Sequence, residues 1–262
     1  MTIWTKGMVV DFWFIVAIGI VTYVLITRAR AGMKIPEIRK IAGLEALEES
    51  IGRATEMGRP VHATPGLGGI SAPETFAFFN TLGYIAQLCA KYDCRLIQTN
   101  RNYLVHSVNE EIIKQAYLEA GRPDAYNPDD VRYLSGFQFG YTSALLGMFA
   151  REKPAANIMI GYFYAESLIL AEAGAQIGAI QIAGTTSTAQ LPFFVAACDY
   201  TLIGEEIYAA SAYISKNPVL LGTVVGEDWF KILVFLTIIV GTVITNVIAD
   251  PKKNPLTSWI LK

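Results

Sequence analysis

The segment from Asn157 to Gly184, NIMIGYFYAESLILAEAGAQIGAIQIAG, decides the fold that we predict for this chain. It begins with a short apolar run (Asn157–Ile160), continues with a helical pattern (Tyr164–Ala175) and ends with a second apolar run (Ala179–Ala183). Two short buried strands joined by a helix are typical of a parallel sheet, because parallel neighbours need a crossover connection. The segment therefore predicts one strand-helix-strand unit.

The same alternation extends on both sides of this unit. Further strands are predicted at Val61–Ala63, Cys94–Thr99, Val131–Leu134 and Tyr200–Ile203, with an edge strand at Pro218–Val225. Helices are predicted at Ser71–Lys91, Ser107–Ala120, Phe137–Arg151, Thr188–Ala197 and Glu205–Ile214. Capping boxes, Ser71 with Glu74 and Ser107 with Glu110, open the first two. We predict an α/β, Rossmann-like fold with an open, mainly parallel sheet flanked by helices.

Two apolar stretches lie outside this region, and each is long enough to cross a membrane. Met8–Thr27 contains one charge, Asp11, and twenty residues at about 1.5 Å each cover the roughly 30 Å of a hydrocarbon core. Basic residues follow it, so the positive-inside rule places the central domain in the cytoplasm and the N terminus outside. A cleaved signal peptide is the alternative, but no small-residue cleavage site follows. Trp229–Ile248 predicts the second span.

These spans predict three parts in a cell-membrane protein that contacts the lipid bilayer through two transmembrane helices. They are an N-terminal anchor (1–32), a cytoplasmic α/β domain (33–226) and a C-terminal transmembrane helix with its tail (227–262). The alternative is a protein with more spans, because Tyr133–Ala150 and Ala173–Cys198 also lack charges. The second of these runs contains many Gln, Thr and Ser residues, which lipid-facing helices rarely carry together.

Charge and cysteine content exclude several classes of partner. The formal net charge is −2, so no excess of Lys or Arg exists to neutralise a nucleic acid. The three cysteines form no C-x-x-C pair, and the two histidines lie far apart in the sequence, so we expect neither a disulfide framework nor a metal site. We interpret the cysteines as small core residues in a reducing compartment.

Four strings resemble a known family: GRATEMGRPVHATPGLGG (52–69), REKPAANIMIGYFYAESLILAEAG (151–174), AGTTST (183–188) and ACDYTLIGEE (197–206). They are similar to an uncharacterised family of prokaryotic membrane-anchored proteins known as a domain of unknown function. The resemblance covers roughly Ile38 to Trp229. It implies no activity, cofactor or catalytic residue.

Polar and glycine-rich loops follow the predicted strands, and such loops bind ligands in open parallel sheets. Glycines and hydroxyls next to helix N termini suit a small anionic ligand, although ordinary helix capping by Ser or Thr is the alternative. The loops lack the G-x-G-x-x-G and Walker patterns, so classical nucleotide binding is disfavoured and the cofactor is unknown. The candidate ligand-binding residues are Thr64, Gly66, Gly68, Gly69, Asn100, Arg101, Gly184, Thr185, Thr186, Ser187 and Thr188.

Three carboxylates on the same loops are candidate catalytic residues. Glu166, Glu205 and Glu206 have the chemistry to bind a divalent cation or to serve as general acid and base, and the alternative is that they are salt-bridged or merely solvated. His62 lies inside a predicted strand and His106 just before a predicted capping box, so both are expected to be packed or surface residues.

A long segment without any basic residue bears most directly on function. Pro154–Ser215 contains no Lys or Arg, whereas the outer face of a helix in a monomeric α/β domain usually carries both signs of charge. Such surfaces are normally covered by another subunit or by a membrane, so we expect a homo-oligomer. An unusually apolar monomer is the alternative.

Three functions remain open from the sequence. The first is a membrane-anchored scaffold or assembly protein that self-associates and binds a small anionic ligand at the strand ends. The second is a membrane-associated hydrolase or transferase that uses Glu166 with Glu205 or Glu206. The third is a transport accessory subunit, which the few polar groups in the two predicted spans disfavour.

Overall fold

A computed structural model describes residues 6–31, 42–215 and 217–247, which form two compact units. One unit contains the first and last helices, and the other contains everything between them. In chain order the elements are α1 (Lys6–Arg30), α2 (Ala42–Glu56), β1 (Val61–Gly66), α3 (Pro73–Tyr92), β2 (Leu96–Asn100), α4 (Tyr103–Glu119), β3 (Val131–Tyr133), α5 (Gln138–Glu152), β4 (Ala156–Tyr162), α6 (Glu166–Gln176), β5 (Ile180–Thr185), α7 (Leu191–Ala197), β6 (Tyr200–Ile203), α8 (Glu206–Ser215) and α9 (Pro218–Val247).

The central unit is built on one six-stranded sheet in the order β3-β2-β1-β4-β5-β6. Every neighbouring pair is parallel. This order is that of a doubly wound sheet, in which the direction of winding reverses between β1 and β4. The predicted α/β fold and its six consecutive strands are confirmed.

Helices cover both faces of the sheet and enclose two apolar cores. On one face, α2, α3, α4 and α8 contribute Leu47, Phe78, Ile113 and Ile207. On the other, α5, α6 and α7 contribute Tyr141, Leu170 and Phe194. The four central strands, β2, β1, β4 and β5, therefore lie buried between two layers of helices, which explains why they are apolar over most of their length.

The predicted edge strand at Pro218–Val225 is wrong, because this segment is the first part of α9. Asn217 starts the helix: its side-chain oxygen accepts a hydrogen bond from the Val219 amide at 2.9 Å. Proline at the first helical position also favours a helix, since its missing amide has no partner there in any case.

Both predicted capping boxes are wrong. The N-cap of α3 is Ala72, which makes no side-chain cap, and the Glu74 carboxylate accepts a hydrogen bond from Thr186 Oγ1. Helix α4 begins four residues earlier than expected because Asn102 Oδ1 caps the amides of the second and third helical residues at 2.9 and 3.2 Å. Ser107 therefore lies inside α4, where its hydroxyl bonds to the Tyr103 carbonyl at 3.3 Å.

Helix α1 contains a stretch, Phe12–Arg30, that is long and apolar enough to cross a membrane. Only 6% of this stretch is buried inside the protein, so its side chains need cover from elsewhere. A helix of membrane-spanning length in this place agrees with the sequence prediction. Its insertion into a membrane stays a prediction.

The expected second span, Trp229–Ile248, is not found, since Phe12–Arg30 is the one helix of this kind in the described residues. Helix α9 carries three charges near its middle, where Lys231 Nζ lies 3.3 Å from Glu227 Oε1 and 3.9 Å from Asp228 Oδ1. The apolar run with described side chains, 232–243, covers only about 18 Å. Ile248 lies outside the described residues.

The packing of α9 on α1 adds a second reason. A Cβ placed on Gly226 would lie 3.4 Å from Thr22 Oγ1, and one placed on Gly222 would lie 3.0 Å from the Ile26 Cα, so the two helices are antiparallel and in close contact. The charged turn of α9 therefore lies next to the middle of the apolar stretch of α1. Two spans in register with one bilayer would not place charges there.

Candidate functional site

The carboxyl edge of the sheet carries the loops that the sequence singled out, and its centre is the reversal between β1 and β4. The backbone of these two strands meets closely there: the Leu67 amide donates to the Tyr162 carbonyl at 2.8 Å. Gly66 has a positive φ of 70°, and a Cβ on Gly161 would lie 2.2 Å from the Pro65 carbonyl oxygen. These glycines allow the two strand ends to touch, so the crevice of a doubly wound sheet is narrowed by backbone here.

Thr64 lies below this contact and faces the core. Its side chain is fully buried, with Oγ1 2.6 Å from the Tyr141 hydroxyl and 3.2 Å from the Thr99 carbonyl oxygen. The Gly66 amide also donates to Thr64 Oγ1 at 3.1 Å. The hydrogen bonds of Thr64 therefore order the end of β1.

Gly68 and Gly69 form the turn that leads into α3. A Cβ on Gly68 would lie 2.4 Å from Thr75 Oγ1, and the Gly69 carbonyl accepts from the Ala72 amide at 3.1 Å. Thr75 Oγ1 is buried and has no hydrogen-bond partner in the part of the chain that the structure describes. The turn thus needs glycine because the first turn of α3 lies directly against it.

Asn100 and Arg101 both connect loops. Asn100 is buried, and its Oδ1 accepts from Gln98 Nε2 at 2.8 Å and from Asn109 Nδ2 at 2.7 Å. Arg101 donates from Nε to the Gly136 carbonyl at 3.0 Å and from Nη1 to the Leu67 carbonyl at 3.2 Å. The guanidinium therefore joins the loops after β1, β2 and β3.

The hydroxyl cluster after β5 is also occupied by internal bonds. Gly184 and Thr185 belong to β5 itself, and the buried Thr185 Oγ1 accepts from the Ser187 amide at 3.3 Å. Thr186 Oγ1 donates to the Glu74 carboxylate. Thr188 is exposed in the turn before α7.

Glu74 opposes the binding of an anion at this edge. Its carboxylate lies in the first turn of α3, where it already complements the positive end of the helix. It also accepts a hydrogen bond from the hydroxyl of Thr186, the residue that follows β5. The candidate ligand residues therefore form a layer of loops that are joined to one another by hydrogen bonds.

Two of the three candidate catalytic carboxylates, Glu166 and Glu206, accept structural hydrogen bonds. Glu166 is fully buried, and its two oxygens accept from the Tyr164 amide at 2.9 Å and from Gln138 Nε2 at 2.7 Å. Glu206 Oε2 accepts from the Ile203 amide at 2.9 Å. Glu205 lies in the preceding turn, where its carbonyl accepts from the Tyr208 amide at 3.0 Å.

The domain of unknown function DUF6754 matches residues 1–255. The chain belongs to this family. The match extends to residue 1 and so includes α1, whereas the resemblance in the sequence covered only the central region. The family description names neither a source organism nor a membrane, so prokaryotic origin and membrane anchoring stay predictions. No curated protein and no solved structure matches the chain.

The DUF6754 domain contains a buried row of polar side chains that crosses four strands, which we call the polar ladder: Thr99, His62, Asn157 and Gln181. His62 lies 2.8 Å from Thr99 Oγ1 through Nε2 and 2.8 Å from Asn157 Oδ1 through Nδ1. Asn157 Nδ2 donates to Gln181 Oε1 at 3.0 Å. Burial lowers the pKa of His62 to about 4 against the opposing hydrogen bond to Asn157, so the ring is neutral at pH 7.

The sequence carried a signal for this ladder that strand prediction alone did not use. Each predicted strand of the sheet centre contains at least one polar residue among apolar ones. The register places His62 beside Asn157, and Asn157 beside Gln181, on the same face of the sheet. Recognising the ladder needed the strand order, because β1 pairs with β4 from far along the chain.

Proposed function

We propose that this protein is a membrane-anchored scaffold whose α/β domain self-associates into a homo-oligomer. The observation that carries the proposal is an apolar, solvent-exposed surface at the β6 end of the sheet, which we call the cation-free surface. Its large exposed side chains come from α6, α7 and β6 and are Leu168, Ile169, Phe193, Val195, Tyr200 and Ile203.

The charge of the surrounding segment supports burial by a second copy. No Lys or Arg occurs between Pro154 and Ser215, so this part of the chain supplies no cation for an ion pair of its own. Its negative groups serve local structure: Asp199 Oδ2 accepts from the Gln181 amide at 2.7 Å. An apolar surface of one kind is complementary to itself, which suits the two-fold contacts of most homo-oligomers.

The outer edge of β6 favours side-chain packing over extension of the sheet. The Gly204 amide donates to the Thr185 carbonyl of β5 at 3.1 Å, so the preceding amide, that of Ile203, faces outward. Glu206 Oε2 accepts from that outward amide. One donor that a strand from another copy would use is therefore already bonded.

The membrane part of the proposal rests on α1. Phe12–Arg30 has the length and composition of a span, and Arg28 and Arg30 lie at its end. By the positive-inside rule this end and the α/β domain face the cytoplasm, with the N terminus outside. A second span is not needed for the scaffold.

The proposal is tested with the full-length chain extracted from membranes in mild detergent. Size-exclusion chromatography with light scattering is expected to give one defined multimer for the wild type. Val195→Glu places a charge on a side chain that is 56% exposed at the cation-free surface, so it is expected to shift the protein towards the monomer.

Leu118→Glu is the matched control, because Leu118 is similarly exposed (49%) on α4, beside Gln115 and Glu119. This variant is expected to keep the wild-type mass. A monomeric wild type, recovery of the chain outside the membrane fraction, or an equal effect of both substitutions contradicts the proposal.

A further inference from the structure

A cavity of about 330 Å³ lies at the amino edge of the sheet, away from the loops described above. Two cysteines, Cys89 and Cys94, line it together with Tyr117, Tyr126 and Asp130. Both thiols are reduced, and both residues are almost completely buried in the protein. The cavity is the place from which a small molecule reaches them.

The end of α3 brings the two cysteines together. Asp93 takes the left-handed conformation, with φ 57° and ψ 40°, and the Cys94 amide donates to the Cys89 carbonyl at 2.9 Å. This closure of six residues by a 6→1 hydrogen bond is that of a Schellman motif, in which the side chains of the first and last residues frequently make contact. The two thiols accordingly interact with each other. The backbone thus fixes the two residues beside each other at the cavity before any covalent bond exists.

The two thiols differ in acidity. The hydrogen bond from Cys89 is the main reason why the pKa of Cys94 falls to about 7, against the effect of burial. The same hydrogen bond and burial raise the pKa of Cys89. Cys94 is therefore the partner that carries a thiolate near neutral pH, and the thiolate is the reactive form of cysteine.

We propose that Cys89 and Cys94 are a redox-active pair that closes to a disulfide when hydrogen peroxide enters this cavity. The Cys94 thiolate attacks one peroxide oxygen, the O–O bond breaks, and the leaving hydroxide takes a proton to become water. The Cys89 sulfur then attacks the sulfenic acid of Cys94, loses its proton, and releases the sulfenic hydroxyl as a second water. In total two thiols lose two electrons, and one peroxide is reduced to two waters.

Cys198 provides an internal comparison. It lies at the end of α7 in the other core, where burial raises the pKa of its thiol to about 12. A thiol of this kind reacts slowly with peroxide. It is therefore expected to stay reduced under conditions that close the pair.

Peptide mass spectrometry after trypsin digestion tests the proposal on the full-length protein, because cleavage after Lys91 separates the two cysteines. Peroxide treatment followed by thiol blocking is expected to give the peptide 54–91 joined to the peptide 92–95. Reduction with dithiothreitol is expected to remove this species. The Cys198 peptide is expected to be blocked as a free thiol throughout.

Two variants identify the order of the steps. Cys89→Ala is expected to leave Cys94 as a sulfenic acid that a 1,3-diketone reagent labels, whereas Cys94→Ala is expected to leave Cys89 unlabelled. The wild type alone decides the main point if a variant does not fold. The proposal is overturned if Cys89 and Cys94 are both still fully blocked as free thiols after peroxide treatment. It is also overturned if Cys198 forms a disulfide at the same rate as the pair.

Discussion

The two edges of the sheet present different side chains to solvent. Beside β3, Arg95 donates two hydrogen bonds to Asp130, at 2.9 and 2.6 Å, and Arg95 and Arg132 both reach Glu152. Beside β6, large apolar side chains are exposed in a segment without a basic residue. The two ends share one topology, so the difference lies in their side chains. This difference is the basis of the proposed self-association through the β6 end.

The polar ladder lies between these ends and joins them. Thr99 belongs to the half of the sheet that carries the ion pairs, and Gln181 to the half that lacks them. Gln181 Nε2 closes the ladder by donating to the Ala171 carbonyl at 2.7 Å and the Ala197 carbonyl at 3.0 Å. Both halves thus depend on the same buried bonds, and disturbing the ladder should affect the whole domain.

The largest expected effect comes from closing the space beside the ladder with Gly174→Ala. A Cβ at this position would lie 2.1 Å from Gln181 Oε1 and 2.9 Å from Asn157 Nδ2. Gln181 is held by its other bonds, so we expect the free energy of unfolding to fall by about 3 kcal/mol. Thermal unfolding followed by circular dichroism measures it.

Gly52→Ala is the matched control, because Gly52 is also helical but a Cβ there meets nothing within 4 Å. Replacing glycine by alanine in an open helical position is expected to raise stability by about 0.5–1 kcal/mol. If both variants change stability in the same direction, the ladder does not join the halves as described.

The second effect is a dependence of stability on pH through His62. Burial lowers its pKa from 6.5 to about 4, so between these values the unfolded chain binds a proton that the folded chain does not. The free energy of unfolding should therefore fall as the pH falls from about 6.5 towards about 4, by at most about 1.4 kcal/mol per pH unit in the middle of this range. Melting curves across this range measure the slope.

His62→Gln should remove most of this slope, whereas His106→Gln, which changes the other histidine, should retain it. A slope that is unchanged in His62→Gln would place its origin outside the ladder.

The smallest of the three effects concerns the ion-paired end alone. Asp130→Asn keeps the shape of the side chain but removes the charge that Arg95 and Arg132 contact. Because Arg95 is about half exposed, we expect a loss of only about 1–2 kcal/mol, without a change in oligomer mass. Val195→Glu at the other end should do the reverse, changing mass with little change in stability.

The exposed pair Glu49 and Arg53 is the control for this prediction, with 2.6 Å between Oε1 and Nη2. Glu49→Gln should cost no more than about 0.5 kcal/mol. Equal losses in the two variants would show that the β3 end gains nothing from its network.

The sheet could be predicted from the sequence because its strands are short apolar runs between helical patterns, and Tyr200–Ile203 was predicted to the residue. The helix starts could not be predicted in the same way. In α4 the capping residue, Asn102, lies before the Ser107 capping box that the pattern favoured. The candidate loops do meet at one edge, yet their polar groups bond to one another, a pairing that depends on β1 lying beside β4. The position of Cys94 beside Cys89 likewise depends on the left-handed residue between them.

The hydrogen bond from the Ile203 amide to Glu206 has a consequence for the tendency of the protein to aggregate. An unpaired, apolar last strand is a template on which identical strands stack into fibrils. The carboxylate on its outward amide removes a donor needed for the first step of that stacking. Loss of Glu206 would therefore be felt less in the folded protein than in its tendency to precipitate at high concentration.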